Sequence, residues 1–348
     1  MSSGARHPLP RGIPRCARND TAMTMRDIQQ PYDFFEYVRV EGAPPPPLRE
    51  RIDVAILDMN HAWPNVGHNS LVHAVLEAAE ELREPLAAAG AKVRVISFDV
   101  RRALQIPAAP NGQFKLYVGT GGPGHLDPRF NDGVSGFSQG IAESDAWEAP
   151  LFRLFESIMA SPDAALIGVC HTFGLMCRWA GTASAVLREE KSSGMPVNTL
   201  TRDGIAHPWF GAFAERLPDG RHFRVVDNRL FDLVLERGAD VDVIARESEG
   251  SEVLTMVEFA RDRRGTMPRV LGVNHHPEII DREHIMRVLE EKRALGEVSE
   301  QWYRERAGTM QDLFFGEQER QSRLTSEFTL LAPLRFHLRR LVEERTAR

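Results

Sequence analysis

A cysteine at the end of an apolar run is the first residue of this chain whose position suggests chemistry. Cys170 follows Ala165 to Val169, a run with the length of a buried strand, and residues 173–180 can open a helix. In α/β hydrolytic enzymes this order forces a nucleophilic side chain out of a sharp turn, and backbone N–H groups at the helix start face the reacting carbonyl. The pattern predicts a thiol nucleophile, provided that a base and its orienting group lie elsewhere.

A histidine and a glutamate two residues apart, His276 and Glu278, provide that base and its orienting group. On an extended strand end such side chains point the same way, and Pro277 between them fixes the turn. The carboxylate can then hold the imidazole in the tautomer that accepts a thiol proton. A protonated His276 and the N-terminus of a helix after Cys170 would both favour the thiolate.

A glycine-rich loop supplies a third part of such a site. An apolar run at 114–118 ends in Gly119-Thr120-Gly121-Gly122-Pro123-Gly124, and glycines at the end of a strand let the backbone come close to a ligand. The loop lacks the lysine and Ser/Thr of a P-loop and the spacing of a dinucleotide fingerprint. We expect backbone N–H groups of the Gly121-Gly122 stretch and of His171 to hold an oxyanion.

Plainer interpretations of the same residues stay open at this point. A lone cysteine after an apolar strand is most often a buried structural thiol, and we interpret Cys177 in that way. His276 alone would be an ordinary histidine, and His275 faces away from it on an extended strand. A metal site would recruit His171, His275, His276 and Glu278, but the sequence has no His-Glu-x-x-His helix, so we predict no metal and no cofactor.

The elements that must position these residues alternate between strands and helices. Strand, helix, strand at this spacing is a parallel crossover unit, and a succession of such units makes a doubly wound sheet. Sites in such a sheet lie at the carboxyl ends of the strands, where the glycine loop and Cys170 both stand. The expected strands are at 54–57, 93–98, 114–118 and 165–169, and the expected helices are at 70–82, capped by Ser70, and at 147–160.

Beyond the cysteine the pattern changes to short β-like runs and then to a charged, amphipathic tail. Antiparallel strands are predicted at 223–226, 241–244 and 253–257, another strand at 270–273 and a helix at 282–295. Residues 1–50 hold 8 of the 22 prolines and no sustained periodicity, so we expect a disordered extension and a proline-rich linker. The expected domain therefore spans 51–296, and a helical C-terminal extension follows at 297–348.

Composition and charge argue against several classes of protein. The 348 residues carry a net charge of −6 without a basic cluster in the central region, whereas a nucleic-acid binder needs a basic face. No apolar run approaches the ~18 residues of a membrane span, and the N-terminus has no apolar core of an export signal. The three cysteines, Cys16, Cys170 and Cys177, indicate neither a disulfide framework nor a zinc site. We therefore expect a cytoplasmic protein with a small-molecule substrate and a free thiol; no oligomeric state is predicted.

Three motifs together resemble those of class I glutamine amidotransferases and the related γ-glutamyl hydrolases. They occur in family order, over roughly Asp53 to Leu295. The resemblance implies a flavodoxin-like α/β fold with a mostly parallel sheet and a small antiparallel β addition. The motifs are the loop Thr120-Gly121-Gly122-Pro123-Gly124, the elbow Gly168-Val169-Cys170 and the segment Gly272-Val273-Asn274-His275-His276-Pro277-Glu278.

The same resemblance assigns a role to each part of the site. Cys170 would be the nucleophile, His276 the general base and acid, and Glu278 the residue that orients His276. The backbone N–H groups of Gly122 and His171 would line the oxyanion hole. In the family the thiolate attacks a glutamine side-chain amide, ammonia leaves, and water hydrolyses the thioester. The residues expected beside the substrate are Gly121, Gly124 and Gly174.

Two positions at the elbow differ from the family pattern. Thr172 stands where a glycine is usual, and Gly174 stands where a glutamine usually helps to hold the substrate. Thr172 implies a local adjustment between the helix and the strand, because the glycine lets them pack closely. Gly174 removes a side-chain contact with the substrate.

Two functions of different classes follow. The first is an amidohydrolase acting on the amide of glutamine or of a γ-glutamyl compound. Any use of the ammonia would then need a separate synthetase or acceptor subunit, because no such domain is visible in the sequence. The second is a non-catalytic protein of the same fold that binds a ligand or regulates a partner, an interpretation that suits Thr172, Gly174 and the C-terminal segment.

Overall fold

The strands of the chain form one large mixed sheet and one small antiparallel sheet. The computed structural model describes residues 32–63, 66–280, 282–296, 298–313 and 316–347. In chain order the strands are β1 Phe35–Arg39, β2 Arg51–Asp58, β3 Lys92–Asp99, β4 Phe114–Gly119, β5 Ala165–Val169, β6 Ala183–Gly194, β7 Val197–Leu200, β8 His222–Arg224, β9 Asp227–Leu235, β10 Asp242–Arg246, β11 Leu254–Arg261 and β12 Pro268–Val273. The large sheet has the order β1-β3-β2-β4-β5-β12-β11-β10-β7-β8, and β6 pairs with β9.

One side of the large sheet, from β1 to β12, is entirely parallel. Within it the order β3-β2-β4-β5-β12 is second, first, third, fourth, fifth, which is the flavodoxin-like order. The predicted doubly wound, mostly parallel sheet is therefore confirmed. Strands β5 and β12 are buried along their whole length, which explains why they read as continuous apolar runs.

Helices cover both faces of the parallel strands. Val54 and Ile56 of β2 belong to one apolar cluster, and Ala55 and Leu57 belong to a second cluster, as alternation along a strand requires. None of the described helices is both long enough and apolar enough to cross a bilayer. The helices are α1 Gly67–Glu81, α2 Arg83–Ala88, α3 Glu148–Ala160, α4 His171–Ala180, α5 Arg202–Ala206, α6 Phe210–Ala214, α7 Arg282–Ala294, α8 Glu300–Leu313, α9 Gly316–Ser326 and α10 Ala332–Thr346, with a π-helical turn at Glu327–Leu331.

The predicted antiparallel strands are present and extend the large sheet past β12. Strand β11 pairs with β12, β10 with β11, β7 with β10 and β8 with β7, all antiparallel. The separate ribbon of β6 and β9 is the small antiparallel addition. The half of the sheet from β1 to β12 is therefore parallel, and the remaining strands form its antiparallel continuation.

The charged C-terminal tail is helical, as predicted, and packs against the rest of the chain. Leu334, Leu338 and Val342 of α10 belong to the same apolar cluster as α1 and β2. The indole N–H of Trp209 donates to the carbonyl of Phe328 at 2.8 Å. The residues of this tail that belong to that cluster of the core are Phe328, Leu330, Leu331, Leu334, Leu338, Leu341 and Val342.

Two expectations about local structure are wrong. Ser70 does not cap a helix, because α1 begins at Gly67 and the Ser70 hydroxyl donates to the Val66 carbonyl at 3.0 Å. Part of the segment expected to lack a core is a strand, since β1 pairs with β3 and Phe34 and Phe35 are buried. That strand is too short to give a periodic signal. Residues 1–31 of the expected N-terminal extension, including Cys16, lie outside the described residues.

Candidate active site

Cys170 lies in the sharp turn between β5 and α4. Its φ is 48° and its ψ is −103°, a conformation that residues with a side chain rarely adopt and that costs about 1–3 kcal/mol. Its N–H donates to the Val273 carbonyl of β12 at 2.7 Å, which ties the turn to the neighbouring strand. The side chain is half-buried and lines a cavity. The strained turn thus presents the thiol at the carboxyl end of β5.

Two glycines allow α4 to pack directly on the strands that carry the site. A Cβ on Gly168 would lie 2.4 Å from Sδ of Met176, and one on Gly272 would lie 2.0 Å from the ring of Phe173. No other residue type fits at such distances without moving the helix. The first turn of α4 is therefore held close to Cys170.

Thr172, which stands where the resembling family has glycine, fits because another glycine lies opposite. A Cβ on Gly119 would lie 2.3 Å from Cγ2 of Thr172. The Thr172 hydroxyl donates to the Thr120 carbonyl at 2.7 Å, and the Thr172 N–H donates to the same oxygen at 3.3 Å. Thr172 thus ties the helix of the nucleophile to the glycine loop.

The glycine loop lies against both Cys170 and His276. A Cβ on Gly121 would lie 2.9 Å from Cε1 of His276 and 3.4 Å from Cβ of Cys170, and one on Gly122 would lie 2.3 Å from the Met59 carbonyl oxygen. The Thr120 hydroxyl accepts a hydrogen bond from the Met59 N–H at 2.9 Å. The backbone of this loop therefore lies directly against Cys170 and His276.

A buried arginine that the sequence analysis missed fixes the outer part of the loop. Arg101 donates to the carbonyls of Pro123 at 2.7 Å and Met59 at 2.9 Å. Its guanidinium also pairs with Glu143, and both side chains are almost fully buried. The N–H of Gly124 donates to Oε1 of Gln139 at 2.8 Å. The partners of Arg101 are distant in the sequence, so no local pattern indicates this network.

His276 and Glu278 form a buried hydrogen-bonded pair. Nδ1 of His276 donates to Oε1 of Glu278 at 2.8 Å, since an ionised carboxylate can only accept. Burial opposes a charge on the imidazole, but the Glu278 carboxylate and the nearby Cys170 sulfur outweigh it and raise the pKa of His276 well above its ordinary value. Nε2 of His276 has no hydrogen-bond partner in the described part of the chain. That atom is available to exchange a proton with Cys170.

The two neighbouring histidines have the opposite ionisation. Burial, with the charges of His276 and Arg229, lowers the pKa of His275 to about 3, and its ring lies edge-on to Phe223. Burial, with the charges of Arg101 and His125, lowers the pKa of His171 well below its usual range. Over the residues described, no three His, Cys, Asp or Glu side chains are grouped to hold a metal ion.

A cavity of about 420 Å³ opens in front of Cys170. Of the residues predicted for the site, Cys170, His276, Gly122, His171, Gly124 and Gly174 line it. Gly121 and Glu278 do not: Gly121 packs against His276 and Cys170, and Glu278 is buried next to His276. The structure therefore brings the three sequence motifs together around one space.

The Leu126 side chain fills the space next to Gly174 in the cavity wall. A Cβ on Gly174 would lie 2.4 Å from Cδ1 of Leu126, and both residues line the cavity. A longer residue at 174 would therefore displace Leu126. This part of the wall is apolar here, where the resembling family has a glutamine side chain.

The far wall comes from segments that the sequence analysis did not assign to the site. Lys191 and Asp227 lie on the β6–β9 ribbon, and Trp302, Arg306 and Met310 lie on α8. No motif marks these residues, because their approach to Cys170 depends on how the ribbon and the C-terminal helices pack.

No family model and no curated protein matches the sequence. A glutamine amidotransferase from Thermotoga maritima matches with 14% identity and a TM-score of 0.47, over 84% of this chain and 98% of that chain. The glutamine amidotransferase from Methylobacillus flagellatus matches with 15% identity and 0.41, over 85% and 93%. The glutaminase domain of Trypanosoma brucei CTPS with bound acivicin matches with 10% identity and 0.43, over 71% and 95%. These solved structures are of the glutamine amidotransferase type that the three sequence motifs resemble.

Proposed function

We propose that the chain is an amidohydrolase of the class I glutamine amidotransferase type, with Cys170 as nucleophile, His276 as general base and acid, and Glu278 as its orienting residue. The observation that carries this proposal is the buried 2.8 Å bond from Nδ1 of His276 to Glu278, with Nε2 left unpartnered within the described residues next to a strained cysteine. A thiol, a base and an orienting carboxylate in this relation are what covalent acyl transfer requires.

In the first half-reaction Nε2 of His276, whose pKa is raised, holds the proton taken from the Cys170 thiol, and the thiolate attacks the amide carbon. The negative charge that develops on the carbonyl oxygen is held by the backbone N–H groups of Gly122 and His171. The carbon–nitrogen bond then breaks, and His276 returns its proton to the nitrogen. Ammonia or an amine leaves, and the acyl group stays on the sulfur as a thioester.

In the second half-reaction His276 takes a proton from a water molecule, which attacks the thioester carbon. The carbon–sulfur bond breaks, the sulfur is reprotonated, and the carboxylic acid is released. The substrate is the side-chain amide of glutamine or of a γ-glutamyl compound. Any synthesis that consumes the ammonia takes place on a separate synthetase or acceptor subunit.

The direct test compares Cys170→Ala with Cys177→Ala. Ammonia or amine release is followed with glutamine and with γ-glutamyl amides. Cys177 is the matched control, because it is fully buried and burial raises the pKa of its thiol to about 12. We expect Cys170→Ala to lose at least about 10³-fold in kcat/KM, while Cys177→Ala stays within a few-fold of the wild type.

Labelling with a thiol-directed glutamine analogue separates this proposal from a non-catalytic protein of the same fold. Stoichiometric modification of Cys170 at neutral pH, with Cys177 unmodified, supports the enzyme. Equal amide hydrolysis by the wild type and Cys170→Ala, or an inert Cys170, contradicts it and favours the binding protein.

A further inference from the structure

One face of helix α8 forms part of the cavity wall. Trp302, Arg306 and Met310 recur at four-residue intervals, so they share a face of the helix, and all three line the cavity that contains Cys170. Trp302 and Arg306 are half-buried, and Met310 is 7% exposed. The C-terminal segment thus contributes side chains to the space where a substrate would lie.

Lys191 reaches the same space from an irregular stretch of β6. From Leu187 to Ser192 the chain advances five residues while β9 advances two, from Phe231 to Arg229. Such an insertion re-aims side chains and is common beside active sites. Lys191 lies in this stretch, is exposed, and lines the cavity.

Lys191 and Arg306 bring two positively charged side chains to the cavity. In the part of the chain that the structure describes, neither forms an ion pair, and Arg306 lies over the ring of Trp302, 5.7 Å from its centroid. Asp227 in the same wall uses Oδ2 to accept from the Ser192 hydroxyl at 2.6 Å and to pair with Arg229 at 3.2 Å, while its buried Oδ1 has no hydrogen-bond partner in the described chain. Both cations line the same cavity. Burial and the charge of Arg306 lower the pKa of Lys191, whereas the Cys170 sulfur raises it.

We propose that Arg306 and Lys191 form an anion subsite that makes this enzyme selective for amides carrying a carboxylate away from the scissile bond. Like charges that share a partly apolar cavity are stabilised by an anion between them, and a guanidinium binds a carboxylate through two parallel hydrogen bonds. Trp302 and Met310 exclude water around that ion pair, which strengthens it. The proposal rests on the proposed amidohydrolase function.

The test uses the full chain and two amides that differ in charge. Glutaramate carries the carboxylate, and pentanamide has a methyl group in its place. We expect Arg306→Gln and Lys191→Gln each to raise the KM for glutaramate about ten- to hundredfold, with kcat within about twofold and with kinetics on pentanamide unchanged. The matched control is Arg304→Gln, on the same helix with a side chain that is 76% exposed, which leaves both substrates unaffected.

Calorimetric titration of glutarate gives a readout that needs no catalysis. Binding to the wild type and to Arg304→Gln, weakened about tenfold or more in Arg306→Gln and Lys191→Gln, supports the subsite even if no amide is hydrolysed. In that case only the amidohydrolase function fails. Turnover that depends on Cys170 but does not distinguish glutaramate from pentanamide in any variant overturns the subsite and leaves the function standing. Glutarate that fails to bind the wild type also overturns it.

Discussion

Adjacent histidines on one strand end have opposite charge preferences in this protein. His276 donates to Glu278 at 2.8 Å and has a raised pKa, whereas His275 is buried beside Phe223 and has a lowered pKa. The backbone turns successive side chains to opposite sides, so only one of the two meets the carboxylate and the sulfur. A shift of one position along the backbone therefore determines whether the histidine side chain has a raised or a lowered pKa.

Replacement of Glu278 tests this control of charge directly. Glu278→Gln removes the negative charge that raises the pKa of His276 and the acceptor that fixes its tautomer. We expect kcat to fall about 10²–10⁴-fold and the pKa of His276 to fall, measured by NMR titration with histidine-selective ¹⁵N labelling. Glu249→Gln, at an exposed position, serves as the control. An unchanged His276 titration in Glu278→Gln would contradict the assignment.

At the scale of elements, the site depends on close contacts between α4 and the strands on which it packs. Thr172 of α4 packs against β4 at Gly119, where a Cβ would lie 2.3 Å from Cγ2 of Thr172, and the Thr172 hydroxyl donates to the Thr120 carbonyl. The adjustment expected at the elbow can be traced to these two residues.

A double-mutant cycle measures that contact. Gly119→Ala places a methyl group 2.3 Å from Cγ2 of Thr172, and we expect it to lower the free energy of unfolding by about 1–3 kcal/mol. In the presence of Thr172→Gly the same substitution should cost less, so that the coupling energy is about 1 kcal/mol or more in urea denaturation. Additive effects of the two substitutions on the free energy of unfolding would show that a methyl group at position 119 does not clash with Thr172.

The parts of the site that the sequence predicts are those attached to buried parallel strands. Cys170, His276 and the glycine loop each follow an apolar run, and parallel strands bring their carboxyl ends to one edge. Lys191, Leu126 and Arg306 are not predicted, because their positions in the cavity wall depend on tertiary packing. The pairing of Arg101 with Glu143 is not predicted either, because the two residues are 42 positions apart in the sequence. Strand β1 is not predicted because it is a single short strand. The sheet topology can thus be predicted from hydrophobic runs in the sequence, whereas the residues that form the rest of the cavity wall cannot.

At the scale of the whole molecule, buried neutral histidines make stability depend on pH. His171, His275 and His337 all have a lowered pKa, mainly because of burial, with His337 at about 4. The unfolded chain protonates these side chains near pH 6.5, whereas the folded chain keeps them neutral. Between pH 6.5 and the folded-state pKa values the unfolded state therefore binds more protons, and stability falls as the pH falls.

Replacement of His275 should reduce this acid sensitivity. The wild type should lose about 2 kcal/mol more than His275→Leu between pH 7.5 and pH 5, since 1.4 kcal/mol corresponds to one pH unit below the unfolded pKa of about 6.5. Neither ring nitrogen of His275 has a hydrogen-bond partner in the described chain, so no hydrogen bond is lost. Urea midpoints at the two pH values measure the difference, with exposed His222→Gln as the control; equal slopes for His275→Leu and the wild type would contradict the prediction.

The placement of α8 has a consequence for how the C-terminal segment can be altered. Met310 of α8 packs with Ile285 and Leu289 of α7, and beyond α8 the side chains of α10 fill the core beneath the sheet. Helix α8, which lines the cavity, thus packs against α7 before it in the chain and is followed by α10, whose side chains are part of the core. Truncating the tail would uncover the apolar core along with the cavity. The C-terminal segment thus contributes both to the cavity wall and to the core. Substitutions on the cavity face of α8 can change the recognition surface, whereas loss of the whole segment would also remove part of the core.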